Sequence, residues 1–428
     1  QTVSVTAGSG CNTSLTLSLT VTDGNGCSSV CTKEVTVLDN TAPSLTGAPY
    51  AGTTGTNACK ANAATAAPFN ATNAITGYTD DCNGTITAEL TNTVVTGTDC
   101  SWTVTYTFSV KDVCNNTLTN QTYSNTGSDQ TAPSLTGAPY AGTTGTNACK
   151  ADAATAAPFN ATNAISGYTD LCGGSVTATL TDTQVTGTDC NWTVTYTFTV
   201  KDACNNALTG QTYSNTGSDQ TIPVWTTAAG DLDITKQCSD AAGIAAAQAM
   251  FPVASDNCDA DVTNIVKTSG AFVAGSCTEA GTYTNTWVVT DACGNTSAVF
   301  TQVITIIDNT APTWTTAAGD LNVTKQCSDA SGIATAQAMF PVAADNCDAN
   351  VTNIVKTSGA FVAGSCPEAG TYTNTWVVTD NCGNTSATYT QVITIIDNTL
   401  PTWTTAAGAL NVTKQCSDAA GIAAAQAM

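Results

Sequence analysis

From Trp102 to Val110 the chain alternates without a break. Trp102, Val104, Tyr106, Phe108 and Val110 are apolar, and Thr103, Thr105, Thr107 and Ser109 lie between them. A period of two sends successive side chains to opposite faces of a strand, predicting one face inward and a Thr face toward water. Trp192 to Val200 repeats this pattern, and Leu15, Leu17, Leu19 and Val21 alternate with Thr and Ser in the same way. Tyr283 to Val289 and Val299 to Ile307 are comparable β-branched and aromatic runs. Turn signals such as Asp23-Gly24-Asn25-Gly26 and Cys293-Gly294-Asn295 separate the strands. The Ala-rich stretch from Ala241 to Met250 departs from this pattern and predicts a short helix or a strand-edge loop.

The patterns recur with punctuation. Asp39-Asn40-Thr41-Ala42-Pro43 returns at Asp129, Asp219, Asp308 and Asp397, at spacings of 90, 90, 89 and 89 residues. Residues 41–130 and 131–220 differ at 14 of 90 positions, and residues 221–309 and 310–398 at 12 of 89, so there are two repeat types. Residues 1–38 read as the second part of a domain and 399–428 as the first part of a further second-type repeat. A unit of this length suits an independently folded sandwich better than a one-motif solenoid repeat. The expected fold is all-β: a tandem array of immunoglobulin-like β-sandwich domains forming an extended rod, roughly 150 Å long for four complete domains.

Composition narrows function. All ten basic residues are Lys, His is absent, Asp and Glu together number 32, and the net charge is −22. Phosphate contacts need clustered Lys and Arg, so nucleic acid and anionic membranes are not expected partners. Without His, the usual general base and commonest metal ligand are missing. Thr supplies 86 residues, which favours strands over helices. No run of eighteen apolar residues occurs, so no membrane insertion is expected in this segment. The chain opens at Gln1 with no charged or apolar leader, so any signal peptide is expected to be removed or to lie upstream.

The twenty cysteines include no CxxC pair, which argues against zinc and redox motifs and for structural disulfides outside the cytoplasm. They follow the repeat register. Cys59, Cys82, Cys100 and Cys114 are echoed by Cys149, Cys172, Cys190 and Cys204. Cys238, Cys258, Cys277 and Cys293 are echoed by Cys327, Cys347, Cys366 and Cys382. The strand from Tyr283 runs from just after Cys277 to just before Cys293, placing those two at opposite ends of the domain. Strand direction therefore predicts that cysteines one and three share one end and two and four the other. The expected bridges are Cys238–Cys277 and Cys258–Cys293, with equivalents in every repeat, although four cysteines allow three connectivities. Cys11 and Cys27 are expected to have partners before Gln1 and Cys416 beyond Met428, while Cys31 has no assigned place.

Asp256-Asn257-Cys258-Asp259, Tyr283-Thr284-Asn285-Thr286-Trp287, Asp291-Ala292-Cys293-Gly294-Asn295 and Asp308-Asn309-Thr310-Ala311-Pro312 resemble the HYR-like, immunoglobulin-type repeats of giant Bacteroidetes surface proteins. The resemblance covers 221–398 well. It covers 41–220 more loosely, through the junction phrase and the Lys-Asp-x-Cys-Asn run at 111–115 and 201–205. Residues 1–38 look closer to a PKD-like module. Many such proteins are exported by type IX secretion, and some are the mobile, SprB-like adhesins of gliding motility. The resemblance thus implies a secreted, outer-membrane-attached adhesin at the cell surface, with motility or secretion machinery among its partners.

Candidate chemistry is sparse. Asp256, Asp259, Asp261, Asp291 and Asp308 offer the hard oxygen donors of a Ca²⁺ site at inter-domain loops, although Asp and Asn also form turns by bonding their own backbone. No other cofactor and no catalytic residue is expected. Asp80-Asp81 has no counterpart pair at Asp170-Leu171, which weakens a glycosidase reading. Nothing in the spacing supplies the acid that an isopeptide bond at Lys111 or Lys201 would need. Thr103, Thr105 and Thr107 read as a solvated strand face. Trp102, Trp192, Trp287 and Trp376 read as core, and Trp225, Trp314 and Trp403 as packing at domain starts, with a weaker carbohydrate-stacking reading. The expected function is a non-catalytic adhesin segment that attaches to an extracellular surface or polysaccharide. The alternatives are a passive stalk for a distal enzyme or lectin domain, and a self-associating filament.

Overall fold

The computed structural model describes Cys11 and residues 13–428, so positions 1–10 and 12 of the PKD-like reading lie outside the described residues. The chain forms two compact units, Gln1–Thr221 and Ile222–Met428. The first holds the hairpin at the start of the chain and both first-type repeats. The second holds both second-type repeats and the closing segment.

The hairpin pairs Thr13–Thr22 with Ser28–Val37. Asp23 makes its turn by accepting N–H bonds from Asn25 (3.0 Å) and Cys27 (2.9 Å). The alternating apolar residues form a strand as expected, but Leu17, Leu19 and Val21 are exposed, so this face is not an inward one among the described residues.

In residues 41–130 the sheet order is Thr56–Asn57, Thr117–Ser128, Ser101–Lys111, Thr87–Thr98. Its first pairing is parallel and the others antiparallel. The opposite layer is slight: a strand pair, Ser44–Leu45 with Tyr78–Thr79, and the short helices Ala63–Ala66 and Ala71–Ala74. Period-two alternation buries Trp102, Val104, Tyr106, Phe108 and Val110 as expected, but it fails at the strand's end, where Ser109, expected on the outward face, is buried too. The five apolar side chains pack on Ala63, Ala67, Ala74, Tyr78 and Tyr123 in one continuous core. Phe69 stacks on Tyr123 with ring centroids 5.8 Å apart. Buried polar atoms are satisfied locally. Trp102 Nε1 donates to the Ala58 carbonyl (2.7 Å), Tyr106 Oη to that of Ala67 (2.8 Å), and Asn125 accepts from Thr53 N–H and donates to Ala67. Gly127 is required here, because a Cβ would sit 2.2 Å from both the Thr56 carbonyl and the Trp102 ring. Residues 131–220 repeat this plan around Trp192, Tyr196, Phe198 and Tyr213.

The second-type repeat keeps the plan and changes its filling. Its sheet runs Ile234–Gln237, Phe300–Ile307, Gly281–Val289, Ile265–Ser269, again with a parallel first pairing. Val224–Trp225 pairs with Ala254–Ser255 in the other layer. The Ala-rich stretch is helical over Ala241–Gln248, and Asp240 caps it by accepting the Gly243 N–H (2.8 Å). Its core is two clusters. One is Leu232, Trp287 and Phe300; the other is Ala247, Ile304 and Ile306. Between them lie the fully buried Asn285 and Gln302, joined at 2.9 Å, with Gln302 Nε2 donating to the Leu232 and Ala247 carbonyls. Residues 310–398 reproduce this with Asn374 and Gln391. In the closing segment, helix Ala419–Gln426 carries the same cap at Asp418.

Candidate functional site at the repeat joints

Eight loops among the described residues carry the local sequence Asp-x-Cys, and six of them share one local geometry. The Asp80 carboxylate accepts the Cys82 N–H at 3.1 Å, Asp170 that of Cys172 at 2.9 Å, and Asp202 that of Cys204 at 2.7 Å. Asp256, Asp291 and Asp345 do the same for Cys258, Cys293 and Cys347, each at 2.8 Å. Each Asp thus closes an Asx turn that fixes the second or fourth cysteine of its repeat in place.

The first and third cysteines lie together at the opposite end. Lys60 N–H, next to Cys59, donates to the Asp99 carboxylate at 2.8 Å, and Asp99 precedes Cys100. The expected pairing of these two with one another is not what the structure shows. Cys59 bonds Cys172 and Cys100 bonds Cys204, with Cα–Cα distances of 5.2 and 4.9 Å. In the second unit Cys238 bonds Cys347 and Cys277 bonds Cys382. Cysteines one and three of a repeat therefore reach cysteines two and four of the next. Strand direction places the ends of a domain, but the thiols facing each end belong to its neighbour. Cys11 likewise bonds Cys114, correcting the expectation of a partner before Gln1. Cys149, Cys190, Cys258 and Cys293 are also disulfide-bonded. Cys82, Cys327 and Cys366, expected in within-repeat bridges, are free thiols among the described residues, as are Cys27, Cys31 and Cys416. Burial and the carboxylates of Asp39, Asp81 and Asp80 push the Cys82 thiol up to about 11.

Within each unit the junction phrase forms the middle of the joint. Asp129 N–H donates to the Asp99 carbonyl (2.7 Å) and its Oδ1 accepts from Thr131 N–H (3.0 Å), while Asn206 Nδ2 of the next repeat donates to the Asp129 carbonyl (3.1 Å). Asp39 is held in the same way by Thr41 and Asn116, and Asp308 by Thr310 and Asn384. Burial raises the Asp129 carboxyl above the usual carboxylate range, the Thr131 N–H opposes this, and the charges of Asp170 and Asp202 add to the rise. Asp308 is raised by burial first, with Asp345, Asp380 and Glu279 adding to it.

The acidic residues singled out from sequence divide into two groups. Asp256, Asp259 and Asp291 accept N–H bonds from their own loops, and Asp261 donates its N–H to Asp259. Asp308 lies with the loops of the following repeat. Asp80 faces the junction Asp39 while Asp81 is exposed, and Leu171 in the second copy is exposed, so these positions do not form a catalytic pair. Lys111 pairs with exposed Glu89; the residue opposite Lys201 is Thr177. Trp102, Trp192, Trp287 and Trp376 are buried as expected. Trp225 and Trp314 pack on Phe300 and Tyr389, and each Nε1 donates to a carbonyl, of Ala298 and Ala387 respectively, at 2.7 Å. Trp403 is 94% exposed. Sequence reasoning missed Asp39, Asp129, Asp170 and Glu279 as joint residues. The recurring junction Asp was the available signal, taken only as punctuation.

No helix among the described residues is long and apolar enough to cross a membrane. No family model matches the chain, and no curated protein matches it. Among solved structures it is similar to Drosophila N-cadherin EC1-4, at 10% identity over 74% of this chain and 94% of that one, with a TM-score of 0.21. It is also similar to PcdhgB3 EC1-4, at 11% identity over 72% and 84% with a TM-score of 0.22. A third is the sialic acid binding region of a Streptococcus sanguinis adhesin, at 13% identity over 70% and 77% with a TM-score of 0.14. Scores this low carry no argument, and the all-β tandem architecture rests on the strands and sheets described above.

Proposed function

We propose that this chain is a non-catalytic, load-bearing segment of a repetitive extracellular cell-surface adhesin. One observation carries the reading: consecutive repeats are joined by paired disulfides that close loops of 104 and 113 residues in the first unit and 105 and 109 in the second. Such bridges persist in an oxidising compartment. They keep most of the chain out of the path of a pulling force, which is useful to a molecule stretched between a cell and a surface. The strand faces turned to water are Thr-rich, suited to hydrated contact with polysaccharide or an abiotic surface. The resemblance of 221–398 to HYR-like repeats supports type IX export and a mobile adhesin of gliding motility as the finer reading.

Beads coated with the oxidised chain test this under flow over polysaccharide and glass. Retention above that of uncoated beads, under load and lost on reduction, is the expected result. Beads that wash away from every surface would overturn the adhesive reading and favour the stalk. Chains that assemble with one another in negative-stain images would favour the filament.

A further inference from the structure

At each joint of the first unit two carboxylates, one from each side, keep a buried oxygen that has no partner among the described residues. At the second joint Asp129 is 4% exposed and Asp170 9%. Asp129 Oδ1 is taken by Thr131 and Asp170 Oδ2 by Cys172, which leaves Asp129 Oδ2 and Asp170 Oδ1 buried and unpaired. Asp202 stands beside them with both oxygens occupied, by the N–H groups of Cys204 and Asn206 and by Asn206 Nδ2. At the first joint Asp39 and Asp80 are 7% and 8% exposed. Asp39 Oδ2 and Asp80 Oδ1 are again unpaired, and the ligand atoms of Asp39, Asp80, Asp81 and Cys82 all lie within 4.8 Å of one another. In the second unit Asp308 Oδ2, Asp345 Oδ2 and Glu279 Oε2 are buried and unpaired at the corresponding place.

An unpaired buried carboxylate is costly, and two facing one another cost more. No lysine relieves them: the ion pairs among the described residues are Lys111–Glu89, Lys236–Asp240 and Lys325–Asp329, none of which involves these oxygens. Either a cation or a shared proton must balance the charge. The free atoms are all hard oxygens and come from both sides of a joint; the other oxygens of the aspartates are tied to backbone N–H groups, and that of Glu279 to the Thr278 hydroxyl. Calcium suits this donor set, because it accepts irregular geometry and completes six to eight positions with carbonyls and water, whereas magnesium demands a near-ideal octahedron.

We propose that each of these joints binds a calcium ion, held by Asp129 Oδ2 and Asp170 Oδ1 at the second joint and by Asp39 Oδ2 and Asp80 Oδ1 at the first. Asp308, Asp345 and Glu279 hold the ion in the second unit. The ion fixes one repeat against the next where the disulfides alone leave two buried carboxylate oxygens without a partner. With so few protein carboxylates per ion, binding falls in the sub-millimolar to millimolar range of extracellular calcium modules. The site stands whether or not the chain is adhesive.

The test is calorimetric titration of the oxidised full chain with CaCl₂ at neutral pH, together with its melting temperature in chelator and in millimolar calcium. The expected result is saturable binding and a raised melting temperature. D129N/D170N should lose one equivalent of calcium. In chelator the same variant should melt at or above the parent, because it relieves the repulsion, a gain that a purely structural role for these carboxylates would not give. Absence of both heat and melting shift with calcium would overturn the proposal. So would an unchanged stoichiometry in D129N/D170N, or an equal melting shift with MgCl₂ at the same concentration.

Discussion

The repeat at 131–220 fills its core with rings, Tyr213 touching Phe159, Tyr196, Phe198 and Tyr140, whereas the repeat at 221–309 splits its core around two buried amides. The sheet order is the same in both, including the short parallel strand on the last long one. The cores of the two types thus use different chemistry on one backbone plan. The joints do not differ in this way. The junction Asp, the Asx-turned cysteines and the staple from one repeat to the next occur in both units. What stays fixed while the core changes is the connection between domains. This places the functional demand on the joint, and on the array as a mechanical object.

The largest effect should come from reduction, and it should treat the two types alike. Cys59–Cys172 keeps 113 residues out of the load path and Cys238–Cys347 keeps out 109. Opening either of these loops releases about 350–400 Å of contour length, so single-molecule stretching of the full chain should show both units lengthen when reductant is added. Each bridge also stabilises by about 2–5 kcal/mol, so chemical denaturation of both units should move to lower denaturant. A gain confined to one unit would break the equivalence of the joints. Next in size is Gln302→Leu in the second type. It strips donors from the Leu232 and Ala247 carbonyls and the acceptor from Asn285, and should cost about 2–4 kcal/mol. Urea melts with a change below about 1 kcal/mol would mean that the amides do not hold the two clusters together.

A smaller pair of variants compares the types directly. Trp192 Nε1 donates to the Ala148 carbonyl at 2.7 Å, but Trp287 Nε1 is buried without a partner among the described residues. Trp192→Phe should therefore cost about 1–3 kcal/mol beyond lost packing, while Trp287→Phe should cost the packing alone. Equal losses in calorimetric melts would remove the polar difference between the cores.

The strands were legible because burial imposes a period of two, and Trp102 to Val110 shows it without interruption. The helix at Ala241–Gln248 was half legible: its Ala content was noted, but not Asp240, whose carboxylate caps it. Leu17, Leu19 and Val21 show the limit of the pattern, since alternation sets a strand's two faces and not whether anything covers either one. The disulfide partners were not legible for a different reason. Cys59 and Cys100 share an end as strand direction required, but which same-end thiol lies about 5 Å away depends on how the next repeat docks. The junction Asp residues were visible as punctuation, and their burial is likewise a property of two repeats together.

The smallest effect concerns a feature confined to the second type. Lys267 Nζ lies 5.3 Å from the Trp287 ring centroid and 5.8 Å from that of Phe251, and donates to the Gln248 carbonyl; Lys356 repeats the arrangement over Trp376 and Phe340. Removing the ammonium forfeits two cation–π contacts and one hydrogen bond but also relieves desolvation, so Lys267→Met should cost about 1 kcal/mol at neutral pH. The sign with pH follows from the lysine's shift. Desolvation lowers its folded value below the ordinary 10.5, so between the two values the folded chain holds fewer protons than the unfolded one. This group's contribution to stability therefore rises with pH through that window, and the Lys267→Met chain should lack the rise. Melting temperatures of parent and variant across the alkaline range measure the difference. Parallel curves would mean that the lysine's charge is not desolvated by the rings.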